Sequence, residues 1–446
     1  MRRDNHNNFY KSGFSPEDIK YMKLAVRLAE KARGMTNPNP LVGAVIVKKG
    51  QIISTGYHKI AGGPHAEIEA INAAGNKELL NGAKIYITLE PCSITGKTPP
   101  CVDSLIKYGF CEVIIGSTDP NPMVNGNGIK KLQDAKIRVR AGLLKDIIAR
   151  QNEIFFKHIQ TKRPFICCKI AASIDGKVAA KTSDSKWITG DRSRKTVQDI
   201  RREFECILTG IDTILIDDPY LYPRKDSTIR PDIESNRKFY RAVLDSNLRI
   251  NQDSNIVKTA KEVKTLIFTA TLNYISNDNY KSSNNKFKND SGKSNSCDSG
   301  VNNNIFTIFN SSDKKKKLIY AKIKLLKDKG IELINVKKTN SEKLDIKEIL
   351  KILYERYTIT SVLVESGPTL LTQLLKKKLI DKFYLFIAPK IIGGDSSYNI
   401  FSELNISHVN DAVKLRFEKI KKIGEDILIT AYPVSHYNYD YDYEIH

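Results

Sequence analysis

Two layered α/β domains in tandem are what this sequence predicts, and three observations carry that prediction. The chain runs to 446 residues, beyond what one hydrophobic core usually organises. Apolar runs of strand length alternate with stretches of helical periodicity from Ser15 to Ile115. The alternation resumes at Ile166 and continues to Ala431. Residues 1–150 are therefore expected to form the first domain, 151–162 the linker, 163–433 the second domain and 434–446 a loose tail.

The first helix opens on Ser15-Pro16-Glu17-Asp18, where a serine N-cap, a first-turn proline and two carboxylates against the helix dipole coincide. Leu24, Ala25, Leu28 and Ala32 recur at helical spacing, which carries the helix to the neighbourhood of Gly34. Leu41 to Val47 reads as a buried strand, Ala66 to Ala74 as a helix and Lys84 to Leu89 as the next strand. A helix from Val102 and a strand at Val113 to Ile115 continue the pattern. In the second domain Ile166 to Ala171 opens the strand set and Ile427 to Ala431 closes it. Residues 276–304 interrupt it with Ser, Asn and Lys and little apolar content, so a disordered surface insertion is expected there. Tyr437 to His446, rich in Tyr and Asp, reads as the loose terminus.

The balance of 72 Lys and Arg against 50 Asp and Glu gives a formal charge of +22, which attracts phosphate-bearing partners without identifying one. Lysine runs at 314–317 and 376–378 accompany a chain-wide Asn, Ile and Tyr bias. The charge is therefore read as solvated basic faces, and no nucleic-acid partner is expected. Seven irregularly spaced cysteines, Cys167 and Cys168 adjacent, do not form the disulfide framework of a secreted domain, and a cytoplasmic setting fits them. Met1 to His6 carries charge with no apolar stretch behind it, so neither a secretory signal nor a membrane span is indicated.

The chemistry centres on His65-Ala66-Glu67, Pro91-Cys92 and Cys101. One imidazole and two thiolates suit a tetrahedral zinc whose fourth position is left to water. Zinc lowers the pKa of that water toward neutrality, and Glu67, not itself a ligand, is placed to move its proton in a hydrolytic deamination. The competing readings are a closed site with a fourth protein ligand, or three unrelated buried residues. His58 is the nearest candidate for that ligand and reads as an ordinary polar residue at a strand end. Asn37-Pro38-Asn39-Pro40, just before the buried strand, is by itself turn chemistry.

His-x-Glu and Pro-Cys belong to the zinc deaminase signature, whose second cysteine follows after two residues. Here eight residues separate Cys92 from Cys101, ending in Thr98-Pro99-Pro100. This loop resembles the deaminase half of the bifunctional riboflavin-biosynthesis deaminase/reductase family more than it does the nucleic-acid deaminases. The resemblance implies a cytidine-deaminase-like three-layer domain, catalytic Glu67, zinc on His65, Cys92 and Cys101, and substrate contacts from Asn39 and Lys97. For Lys97 the alternative is a solvated loop lysine. Ile94 stands where the family usually has histidine, and isoleucine neither donates a hydrogen bond nor carries a proton.

No Gly-x-Gly-x-x-Gly turn joins a strand to a helix, so a Rossmann dinucleotide site is not expected. Lys169 to Gly176, Ser185 to Gly190, Asp217-Asp218-Pro219 and Val364 to Leu370 are instead similar to the reductase half of the same family, a dihydrofolate-reductase-like α/β domain. That likeness implies NADPH, contacted by Ala171, Trp187, Thr213, Asp217 and the run Gly367, Pro368, Thr369, Leu370, Leu371, Thr372 and Gln373. It implies substrate contacts from Ser185, Arg201, Leu221, Arg224 and Glu365.

The residues themselves say less. An apolar strand from Ser361 to Val364 runs into a small-residue turn, so Gly367 permits close backbone approach and the next helix N-terminus can take a phosphate. Such turns also occur without cofactors. Trp187, the sole tryptophan, suits a plate beside a nicotinamide or a place in the core. Arginines suit a sugar phosphate, whereas Arg201 among Arg192, Arg194 and Arg202 also suits a solvated helix face. Asp175 and Asp217 are candidate proton donors and equally turn or N-cap residues.

The implied reactions are zinc-dependent deamination of a phosphorylated pyrimidine ribosylamine, then NADPH-dependent reduction of its ribosyl chain to ribityl, by a homo-oligomer. Two other readings stand beside this one. A nucleic-acid cytosine or adenine deaminase with a basic binding half draws on the charge, and a chain with one active and one structural domain draws on Ile94 and the insertion.

Overall fold

The computed structural model describes residues 13–94, 99–122, 124–224, 231–233, 237–272 and 314–434. The insertion at 276–304, the tail from Tyr437 and Lys97 lie outside the described residues.

The first unit contains α1 (Pro16–Glu30), β1 (Gly43–Lys48), β2 (Gln51–Tyr57), α2 (Ala66–Ala73), β3 (Lys84–Leu89), α3 (Cys101–Lys107), β4 (Glu112–Ser117), α4 (Asn127–Asp134) and β5 (Arg138–Ala141). Ser15 and Asp18 close a reciprocal capping box at the start of α1. Asp18 also accepts from the Tyr86 hydroxyl at 2.7 Å and from Arg140 at 2.9 Å, which ties the helix start to the sheet. The strand order is β2-β1-β3-β4-β5, antiparallel across the first three and parallel from β3 onward. Ala44 and Ile46 of β1 join the core under α2 and α3, while Val45 and Val47 join the core under α1. Burial on both faces explains the unbroken apolar run and gives three layers.

Residues 151–162, expected as the linker, are largely helical: α5 (Lys145–Gln151) is followed by α6 (Glu153–Thr161). The segment has cores to bury against on both sides. Phe156 packs with Leu89 of β3, and Ile154 reaches the core of the second sheet.

The second unit runs β6 (Phe165–Ser173), β7 (Lys177–Ala179), α7 (Asp191–Glu203), β8 (Cys206–Gly210), α8 (Ile211–Asp217), β9 (Tyr240–Leu244), α9 (Asn255–Lys258) and β10 (Lys264–Thr269). It continues through α10 (Lys314–Asp328), β11 (Ile331–Asn335), α11 (Ile346–Tyr357), β12 (Ser361–Val364), α12 (Pro368–Lys376), β13 (Lys382–Ala388), β14 (Tyr398–Asn399), β15 (Leu415–Ile423) and β16 (Asp426–Pro433). The main sheet has the order β11-β10-β9-β8-β12-β6-β13-β16-β15; strands are parallel up to β13, and the β15–β16 pair is antiparallel. Cys168 faces one core and Cys167 the other, as neighbours on a strand must, and all six cysteines among the described residues are free.

Candidate functional sites

His65 is the N-cap residue of α2 and Cys101 the first residue of α3, so both project from helix beginnings. Nδ1 of His65 lies 3.2 Å from Cys101 Sγ and 3.5 Å from Cys92 Sγ. All three donor atoms fall within 4.8 Å of one another. A tetrahedral zinc at ordinary bond lengths separates nitrogen from sulfur by about 3.6 Å, so this trio fits the ion and leaves one position for water. The hydrogen bond from Cys101 and the nearby His65 hold the Cys92 thiol down to about 4, while Cys92 and burial push Cys101 up. Glu67, in the first turn of α2, is 3% exposed and stands outside the trio. In the metal-free site burial, reinforced by the charge of Cys92, raises its carboxyl to about 7.

His58 has both ring nitrogens engaged elsewhere. Pro64 offers only a carbonyl, so Nδ1 donates to it at 2.9 Å, and Nε2 is left to accept from the Asn39 amide at 3.2 Å. The ring meets His65 edge-on at 5.5 Å, which brings Asn39 to the rim of the trio. Sequence reasoning passed over this pairing because nothing in the spacing of 39 and 58 announces it. It also passed over Glu90, which accepts from the amides of Gly126 at 3.1 Å and Gly128 at 3.0 Å and fixes the loop after β4 beside the site. A Cβ on Gly128, in the first turn of α4, would meet the Pro91 carbonyl at 2.3 Å, so only glycine lets the start of that helix pack here. Burial lifts Asp119, on the same loop, to about 6. Ile94 is exposed on the loop leading away from Cys92.

The second site is a cleft of about 1910 Å³ on the larger sheet. Lys169, which the sequence did not single out, and Glu365 stand side by side in it, with Nζ 3.3 Å from Oε2. Arg201 makes a two-point contact with the same carboxylate, Nε at 2.6 Å and Nη2 at 3.1 Å. Burial opposes ionisation of Glu365, yet Arg201 and Lys169 overcome it and hold the carboxyl down to about 2. Arg201 is 8% exposed, which excludes a solvated helix face. Ser185 donates to Asp217 at 2.8 Å. Trp187 is 62% exposed with the Arg194 guanidinium 4.5 Å from its ring, so it is a plate at the cleft and not core.

Ala171, Thr213, Leu221, Arg224, Gly367, Pro368, Thr369, Leu370, Leu371 and Gln373 line the same cleft. Thr372 is turned away, its hydroxyl accepting the Ser402 amide at 2.8 Å. Asp175 is committed to a turn, accepting from the Ser173 hydroxyl at 2.6 Å and the Gly393 amide at 2.7 Å, whereas Asp217 faces the cleft. Two features fit a phosphorylated cofactor and substrate. Helix α12 begins at Gly367 without a side-chain cap, and open space stands where a Cβ on Gly367 would be. The Nε of Arg224 is buried with no partner among the described residues.

Residues 15–117 match the cytidine and deoxycytidylate deaminase zinc-binding region, and residues 164–282 and 293–429 match the RibD C-terminal domain. The chain belongs to the RibD family. The riboflavin biosynthesis protein RibD of Actinobacillus pleuropneumoniae is 37% identical over 94% of this chain and 96% of its own length. RibD of Aquifex aeolicus is 36% identical over 92% and 97%. Among solved structures, RibD of Acinetobacter baumannii has a TM-score of 0.73 at 30% identity, covering 94% of this chain and 99% of that one. A diaminohydroxyphosphoribosylaminopyrimidine deaminase/5-amino-6-(5-phosphoribosylamino)uracil reductase from Thermotoga maritima has a TM-score of 0.70 at 30% identity with the same coverage. Like the rest of the RibD family, the chain is a two-domain riboflavin-biosynthesis enzyme, a zinc-binding cytidine-deaminase-like deaminase followed by a reductase that uses NADPH. Among the described residues no helix is long and apolar enough to cross a membrane.

Proposed function

We propose that the first site removes an amino group from a diaminohydroxyphosphoribosylaminopyrimidine and that the second reduces the ribosyl chain of the product to ribityl with NADPH. The observation that carries this reading is the three-ligand trio with buried, unligated Glu67 beside it, in one chain with the cleft of Lys169, Arg201 and Glu365. When bound at His65, Cys92 and Cys101, zinc supplies an activated water. Glu67 carries the two protons of that water in turn, the first to the ring nitrogen and the second to the amino group, which leaves as ammonia while the ring carbon keeps the oxygen. Asn39, oriented by His58, and Lys97 hold the substrate.

In the second site the dihydronicotinamide supplies hydride, and the protein aligns it. Ala171, Trp187, Thr213, Asp217 and the Gly367 to Gln373 run hold the cofactor; the buried hydroxyl of Thr372 serves by fixing Ser402. Ser185, Arg201, Leu221, Arg224 and Glu365 hold the substrate, and the Nε of Arg224, without a partner among the described residues, supports a phosphate there. The domain boundaries follow the two sheets, with residues 151–162 joining them. The protein acts as a cytoplasmic homo-oligomer. Free cysteines support the compartment, and exposed Phe417, Ile420 and Ile427 on the outer hairpin β15–β16 support the assembly.

Ammonia release and NADPH oxidation, followed separately on purified protein, test the proposal. Ammonia release is expected from the phosphoribosyl pyrimidine, and NADPH oxidation from its deaminated product. Ammonia release from RNA, lost steeply as salt is added, would establish nucleic-acid editing in its place. Loss of just one of the two activities would leave a single working domain.

A further inference from the structure

The loop carrying Asn39 is gripped on both sides by the segment that joins the two sheets. Before Asn39, the Pro38 carbonyl accepts from His158 Nε2 at 3.0 Å. After it, Asn152 clasps Leu41, its Oδ1 accepting from the Leu41 amide at 2.7 Å and its Nδ2 donating to the Leu41 carbonyl at 3.0 Å. Asn152 and His158 are 3% and 5% exposed, so water cannot substitute for either contact without rearrangement. Asn152 is the N-cap residue of α6, and His158 lies within it.

Helix α6 is itself fastened to the second sheet. Lys157 Nζ lies 2.7 Å from Asp381 Oδ1 with both side chains 5% exposed, and the other Asp381 oxygen accepts the Ile166 amide at 2.8 Å. Glu153 accepts from Lys382 Nζ and from the Tyr432 hydroxyl, each at 2.7 Å. A buried ion pair with its remaining lone pairs satisfied tolerates little displacement. The place of α6 is thus set by the reductase sheet and handed on to Pro38 and Leu41.

We propose that His158 and Asn152 are positioning residues of the deaminase site, which set Asn39 against the substrate ring from a helix anchored on the reductase sheet. The inference rests on Asn39 being a substrate contact. It assigns neither residue a direct part in the chemistry. A misplacement of about 1 Å in a positioning group is enough to weaken binding and turnover.

The test uses the full-length, zinc-loaded protein. His158→Phe keeps an aromatic ring and removes the donor, whereas His158→Gln restores a donor near the Nε2 position. His158→Phe is expected to raise the deaminase KM about tenfold with much less change in kcat, and to leave zinc content, and NADPH oxidation with the deaminated product supplied, at parental values. His158→Gln is expected to return KM to within about threefold of the parent. In an Asn39→Ala background His158→Phe should add nothing, because both act through one contact. Asn152→Asp, which keeps the acceptor for the Leu41 amide and loses the donor to its carbonyl, gives the same KM-selective effect by a second route. The inference is overturned if Asn39→Ala raises KM while both His158→Phe and Asn152→Asp leave it unchanged, or if the Asn39 and His158 effects multiply. An unchanged KM in Asn39→Ala alone would instead remove Asn39 from the substrate site, and the inference with it.

Discussion

Val364 pairs with Cys168 in the parallel ladder between β12 and β6, and that register sets Glu365 beside Lys169 with 3.3 Å between carboxylate and ammonium. Arg201 closes the other side of the same carboxylate at 2.6 Å. Residues far apart in the chain become one electrostatic unit because a strand pairing, not a motif, brings them together.

Glu365→Gln should therefore act on stability as well as on reduction. Removing one partner of a buried ion pair leaves the others uncompensated, at a cost of about 3–5 kcal/mol near neutral pH. The folded carboxyl is depressed to about 2 from an ordinary 4.5, so its contribution is present above the unfolded value and is lost as pH falls from about 4.5 toward 2. Denaturant titrations of parent and variant at pH 7 and at pH 3 check this. The stability gap should be wide at the higher pH and narrow at the lower, and a gap independent of pH would contradict the electrostatic account.

Glu67→Gln separates metal binding from proton transfer. The side chain is outside the ligand trio, so the variant should keep one zinc per deaminase domain while ammonia release falls by about 10²–10⁴-fold and NADPH oxidation with the deaminated product supplied is untouched. Metal analysis alongside the two assays decides it, and loss of zinc would make Glu67 a ligand.

Much of this arrangement was legible in advance, for a physical reason. Strands buried on both faces, such as Lys84 to Leu89, print an apolar-rich run without strict alternation, and that span matches β3 residue for residue. Strand β2 carries no such signal, since its residues are mostly exposed or half-buried and its composition is mixed. The deaminase trio was readable because short local motifs carry the ligands and put His65 and Cys101 at helix beginnings. Lys169 beside Glu365, and His58 beside Asn39, were not, because register and loop packing create those neighbours. The joining segment lacked a strand-like run, and its helical character depends on burying Ile154 and Phe156 against two different cores.

Removing zinc should expose the difference between the two ligand cysteines. In the metal-free protein Cys101 and His65 hold the Cys92 thiol well below the ordinary thiol range, and it is partly accessible, whereas Cys101 is buried. Its alkylation rate should stay nearly flat between about pH 6 and 8, where an ordinary thiol gains close to tenfold per unit. Mass-spectrometric mapping after iodoacetamide treatment measures this at each pH. Zinc should suppress the Cys92 adduct, and chelation should abolish ammonia release while sparing NADPH oxidation with the deaminated product supplied. A steep rise in the Cys92 rate with pH would remove the proposed low-lying thiolate.

Gly367→Ala asks whether the glycine serves the fold or the ligand. Its backbone is extended at φ −72° and ψ −179°, so no left-handed conformation requires glycine here. A Cβ would meet nothing within 4 Å, so the methyl group also clashes with no protein atom. By the reduced freedom of the unfolded chain the variant should fold as well as the parent, or more stably by up to about 1 kcal/mol. The methyl group would instead stand in the cleft at the start of α12, where the cofactor phosphate is expected to approach the first amides. KM for NADPH should rise about tenfold with a melting temperature no lower than the parent's and unchanged ammonia release. A melting temperature that falls while KM stays put would mean that the open space at Gly367 belongs to folding and not to the cofactor.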